Sequence, residues 1–79
     1  MYRKSPTEEN RQRLIELSTF LKELRINSGM TQQELGNDLN LHRNSISHAE
    51  NYHNITLLTL FQLADAYEIR LSELFQDIK

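Results

Sequence analysis

The chain has no cysteine and no tryptophan, and only one proline and two glycines in 79 residues. Without cysteine there is no disulfide scaffold, no thiol nucleophile and no thiolate zinc site. Scarce glycine and proline argue against disorder and against repeat-rich β folds. No apolar run approaches the ~20 residues of a membrane span. The basic start, Tyr2-Arg3-Lys4, is followed by no apolar stretch, so it does not read as a secretion signal. A soluble cytoplasmic protein is the expectation. An excess of positive charge is also missing. Nine basic residues face eleven acidic ones, for a net charge of −2, and taken alone that balance weakens any reading as a nucleic-acid binder. The distribution is uneven, however. Residues 1–28 hold six basic residues against four acidic, whereas residues 29–54 and 55–79 each carry −2. The first third is therefore the expected electrostatic footprint for phosphate, and the acidic last third points elsewhere.

What is present is helical. Apolar residues make up 38% of the chain, enough for one small core. A domain of this size buries only roughly 60% of its unfolded surface, so burial in a dimer would help it. Ser5-Pro6-Thr7-Glu8 reads as a helix start, with serine as cap and proline at the first helical position. Leu14, Leu17, Leu21 and Leu24 then form one apolar stripe, and Gly29 ends a helix running from Pro6 to Ser28. Thr31-Gln32-Gln33-Glu34 is a second capping box. It opens a helix with Leu35 and Leu39 inward, which Asn40 can end in a left-handed conformation. A third helix fits His42 to Glu50, with Ile46 and Ala49 inward. Thr56 caps a fourth, carrying Leu57, Leu60, Ala64 and Tyr67. Ser72 caps a short fifth with Leu74, Phe75 and Ile78. Nothing reads as a strand.

Two short helices joined by a tight turn make a helix-turn-helix arrangement, here at residues 31–50. With Ile46 pointing inward at 100° per residue, Asn44, Ser47, His48 and Asn51 fall about 100–200° away, and Arg43 lies on the flank. These outward side chains are all polar hydrogen-bonders. Base edges in the major groove are read by such groups, arginine pairing with guanine and asparagine with adenine. The run Gly29-Met30-Thr31-Gln32-Gln33-Glu34-Leu35, then Ser45-Ile46-Ser47 and Glu50, resembles the Xre/Cro/cI family of DNA-binding domains. So does the tail Leu60-x-x-Leu63-Ala64-x-x-Tyr67-x-Ile69-x-Leu71-Ser72-Glu73-Leu74-Phe75. Size and the stretch Asn54-Ile55-Thr56-Leu57 are similar to controller proteins of restriction–modification systems.

The resemblance implies an all-α, compact five-helix, lambda-repressor-like domain. It implies DNA contacts by Arg43, Asn44, Ser47 and His48, with phosphate held at Thr31 and Gln32. Asn51 joins that set as the end of the polar face. The resemblance also implies an Arg25–Glu50 bridge whose arginine touches the DNA backbone. The chain departs from the family in four places. Asn40 stands where glycine is usual in the turn. Gly36 replaces alanine, at about 0.8–1 kcal/mol in helix propensity. Ala49 replaces a larger aliphatic residue, and the loop Asn51-Tyr52-His53-Asn54 lacks the usual glycine and basic residues.

The expected function is sequence-specific binding of double-stranded DNA as a homodimer on palindromic sites. In the controller reading it acts on its own restriction–modification operon. Bound beside a promoter, such a protein blocks or recruits RNA polymerase. One recognition helix reads few base pairs, whereas two held about 34 Å apart read two half-sites. The fourth and fifth helices, residues 56–79, are the expected dimer surface, through Leu71, Leu74, Phe75 and Ile78. Residues 1–10 form an arm or helix extension.

The plainer readings are that the polar face is only solvated, that Glu34 is only a cap, and that the leucines of the first helix are core. The alternative function is a protein-interaction module such as an antitoxin, favoured by the acidic balance. No cofactor or metal is expected. His42, His48 and His53 lack cysteine partners, and the His42–His48 spacing does not share one helix face. Their protonation would strengthen phosphate binding as pH falls. No acid–base pair or phosphate loop points to an enzyme.

Overall fold

A computed structural model describes residues 7–51, 54–76 and 78. Five helices follow in order: α1 Glu8–Asn27, α2 Gln32–Leu39, α3 Arg43–Glu50, α4 Leu57–Ala66 and α5 Leu71–Leu74. Among the described residues there is no strand, and no helix is long and apolar enough to cross a membrane. The expected all-α architecture is the one observed.

Most helix ends follow from their side chains. Thr7, Thr31 and Thr56 each accept a backbone N–H three residues on, from Asn10, Glu34 and Thr59 at 3.2, 3.1 and 3.1 Å. The α2 box is complete, because Glu34 Oε1 accepts the Thr31 N–H at 3.0 Å, so two orphan donors are satisfied. Two expected starts are corrected. α1 begins after Thr7; the Ser5 and Pro6 start falls outside the described residues. α5 begins after Arg70, leaving Ser72 exposed inside the helix. Arginine has no acceptor, so that end is held by Glu73 Oε1, which takes the Arg70 N–H at 3.2 Å.

Three residues stop helices with a positive φ. Gly29 has φ +74°, where glycine escapes the Cβ penalty. Asn40 at φ 55° is left-handed as expected, and Glu68 at φ 55° plays the same part after α4.

Leu17, Leu21, Leu35, Ile46, Ala49, Leu60, Leu63, Ala64 and Leu74 form one buried core drawn from all five helices. Leu57 is not part of it. It is 67% exposed, and Leu63 takes the inward place on α4. Leu14 and Leu24, at the ends of the α1 stripe, are half-buried.

α2 and α3 pack most closely, and Gly36 explains how. A Cβ at Gly36 would lie 2.8 Å from the Leu41 carbonyl oxygen and 3.4 Å from the Arg43 nitrogen. The turn backbone thus runs directly over the glycine, and the Leu41 N–H reaches the Gly36 carbonyl at 2.8 Å. The lost helix propensity at Gly36 is offset by this approach, which sets how closely α3 follows α2.

Candidate nucleic-acid interface

α3 is an amphipathic two-turn helix seated by Ile46 and Ala49, which are 0% and 2% exposed. Burying these side chains at one rotation forces Arg43, Asn44 and His48 outward, and all three are exposed. The Arg43 and Asn44 side chains make no hydrogen bond among the described residues. Two members of the expected set are less free. Ser47 is half-buried. The Asn51 amide turns back on the helix, donating to the Ser47 carbonyl at 2.6 Å and to Ser47 Oγ at 3.1 Å. Asn51 therefore closes the end of α3, and its donors are spent on Ser47.

An ion pair locks α3 to α1. Arg25 Nε donates to Glu50 Oε2 at 2.8 Å and Nη2 donates to Oε1 at 3.0 Å. Arg25 Nη1 donates to the Met30 carbonyl at 2.7 Å. The Glu50 side chain is 2% exposed, and its hydrogen bonds raise the Arg25 pKa further. The planar fork suits this bidentate geometry. It also retains spare N–H donors, since a guanidinium carries five.

Gln32 joins the pair: its Nε2 donates to Glu50 Oε1 at 3.2 Å. The Gln32 side chain therefore faces inward, and what α2 offers outward is backbone. The N–H groups of Gln32 and Gln33, in the first turn, have no intrahelical partner. They open on a concavity of about 500 Å³ lined by Arg25, Gly29, Met30, Thr31, Gln32, Gln33 and Arg43. Arg43, the spare donors of Arg25 and the unpaired first-turn N–H groups suit an anion there, although Glu50 already meets the charge of Arg25 and Glu34 caps the same helix end.

Sequence reasoning missed two features of this site. Tyr67, half-buried, lies within electrostatic reach of Arg25 and Glu50. His42 is the N-cap of α3: its Nδ1 accepts the Asn44 backbone N–H at 3.0 Å. The visible signal was its place directly before Arg43 and Asn44. Tyr52 and His53 of the following loop, and the Tyr2-Arg3-Lys4 arm, lie outside the described residues.

Comparison with known proteins matches this geometry. Residues 21–74 match the helix-turn-helix family HTH_3. The wild-type restriction–modification controller protein C.Esp1396I is similar in structure, with TM-score 0.70 at 31% identity, over 84% of this chain and 87% of that one. A point mutant of the same controller protein gives TM-score 0.71 at 30% identity, over 84% and 85%. Among curated proteins no relative matches. The chain belongs to the Xre-like helix-turn-helix family HTH_3 and is a DNA-binding regulator of that class.

Proposed function

We propose that the protein binds palindromic operators as a homodimer and sets transcription of a restriction–modification operon, including its own gene. The observation that carries this reading is the outward polar face of α3 beside the anion-suited end of α2. Arg43 and Asn44 read bases, Ser47 and His48 contact bases or phosphate, and the α2 N-terminus with Arg25 holds the sugar–phosphate backbone. Likeness to a controller protein supports the operon assignment.

Exposed apolar side chains support a dimer. Leu57 and Leu58 are each 67% exposed, and Phe61, Leu71 and Phe75 are also exposed. So many uncovered large apolar groups on packed neighbours α4 and α5 mark an interaction surface. Within the set expected from sequence, Leu74 is 2% exposed and belongs to the core of its own chain. Ile78 is half-buried against that core. Leu71 and Phe75, with Leu57, Leu58 and Phe61, are the residues that can meet a second copy. Two α3 helices held one turn of DNA apart then read two half-sites. Bound beside a promoter, the dimer blocks or recruits RNA polymerase.

The test is selection from random duplex DNA at two salt concentrations, with wild type and Arg43→Ala. A two-fold palindrome is expected, relaxed at one base in each half-site by Arg43→Ala. The slope of affinity against salt counts the phosphates engaged. Failure to enrich any motif at either salt would sink the DNA reading and favour an antitoxin-like protein module.

A further inference from the structure

His42 caps the helix that carries the base-reading residues, and its chemistry as a cap fixes what its other nitrogen can do. Of the five helix N-caps, three are threonine and one is arginine; only His42 caps with a ring. Its Nδ1 accepts the Asn44 N–H at 3.0 Å, while its backbone carbonyl accepts the Ser45 N–H at 2.9 Å. A nitrogen that accepts carries no proton, and neutral imidazole has one proton to place. The proton therefore sits on Nε2, across the ring from the cap bond. His42 is exposed, so this N–H faces solvent, away from the first turn of α3.

We propose that His42 is a further DNA-contact residue. Its neutral ring donates from Nε2 to a phosphate oxygen flanking the bases read by Arg43 and Asn44. This rests on the DNA-binding reading above. The cap bond fixes the ring before DNA arrives, so the contact needs little further ordering. Side chains on the outer face of α3 enter the groove. A donor aimed off the helix start meets the sugar–phosphate wall instead. Such contacts set register rather than sequence. The donor is also uncharged, so no counterion release accompanies it. Both properties distinguish His42 from Arg43.

The experiment compares wild type, His42→Ser, His42→Asn and Arg43→Ala on the selected operator. Serine and asparagine keep a capping oxygen but are too short to reach as the ring does. Both His42 variants should melt as wild type does, bind about tenfold more weakly, keep the wild-type salt slope and select the same motif. Imidazole nitrogen NMR of the free protein should show the Nε2-protonated tautomer. Wild-type affinity in both variants would confine His42 to capping and overturn the proposal. So would an Nδ1-protonated ring, or a salt slope reduced by about one, which marks a charged contact. If Arg43→Ala loses affinity and the His42 variants do not, only this proposal fails. If wild type selects no DNA, the parent reading fails with it.

Discussion

The Tyr67 hydroxyl is buried and has no hydrogen-bond partner among the described residues. Burial, then the nearby Glu50 carboxylate, push its pKa up to about 12, against a lowering pull from Arg25. A raised pKa means the folded state holds the proton more tightly than the unfolded one. Stability linked to Tyr67 is therefore complete below about pH 10 and is lost as pH rises through 12. Tyr67→Phe should remove that alkaline loss. At neutral pH it should leave stability unchanged or raise it by about 1 kcal/mol, since it deletes an unpaired buried group. Urea unfolding of both proteins from neutral to alkaline pH checks this; a Phe variant that retains the alkaline loss would refute it. Glu34 moves the other way. Accepting the Thr31 N–H lowers its pKa below the ordinary 4.5. Its contribution is present above that value and lost as pH falls through the depressed one. Glu34→Gln should flatten the acid limb of stability without altering DNA affinity at neutral pH. The capping box behind this prediction was legible in Thr31-Gln32-Gln33-Glu34, because capping is local. The Tyr67 environment was not, since Arg25 and Glu50 reach it only through folding.

At the scale of elements, the Arg25–Glu50 pair decides how α3 sits on α1. Removing one partner strands a charge in the interior. Arg25→Met should therefore destabilise the protein by about 3–5 kcal/mol, a large share of the roughly 5–15 kcal/mol that holds a domain folded. A double change to apolar residues, Arg25→Met with Glu50→Leu, should recover most of that loss, because nothing charged remains to be buried. Denaturant midpoints for both singles and the double give the coupling directly; additive effects would refute it. Resemblance implied this pair, but the Gln32 and Met30 contacts that complete it were visible only in three dimensions. The start of α5 follows the same logic. Ser72 is the better cap by chemistry, yet Glu73 reaches back to Arg70 and the helix begins there. Short helices are placed by packing more than by their own signals.

At the scale of the molecule, the exposed apolar groups of α4 and α5 stand apart in character from the polar α3 face. In the dimeric reading, Leu58→Glu and Phe75→Glu should each yield a folded monomer, as both side chains are exposed. Sedimentation should show the lower mass, and affinity for a two-half-site operator should fall more than tenfold while circular dichroism is retained. A wild type that is monomeric both free and on DNA would refute the dimer.

By itself the sequence determined the helices with strong periodicity, the caps at Thr31 and Thr56, the left-handed turn at Asn40 and the inward set of α3. These depend on neighbours one or two helical turns away, which any local segment contains. Tertiary structure decided what depends on distant chain. Leu57 opens α4 and Leu74 closes α5; both are leucines at a helix end, yet one is 67% exposed and the other 2%. Gly36 looks like a weak helix residue until the Leu41 carbonyl is found pressed against it. A glutamine at a helix start looks free until it meets Glu50 from the next helix. Burial and close approach are properties of the assembled core, and local composition carries no record of them.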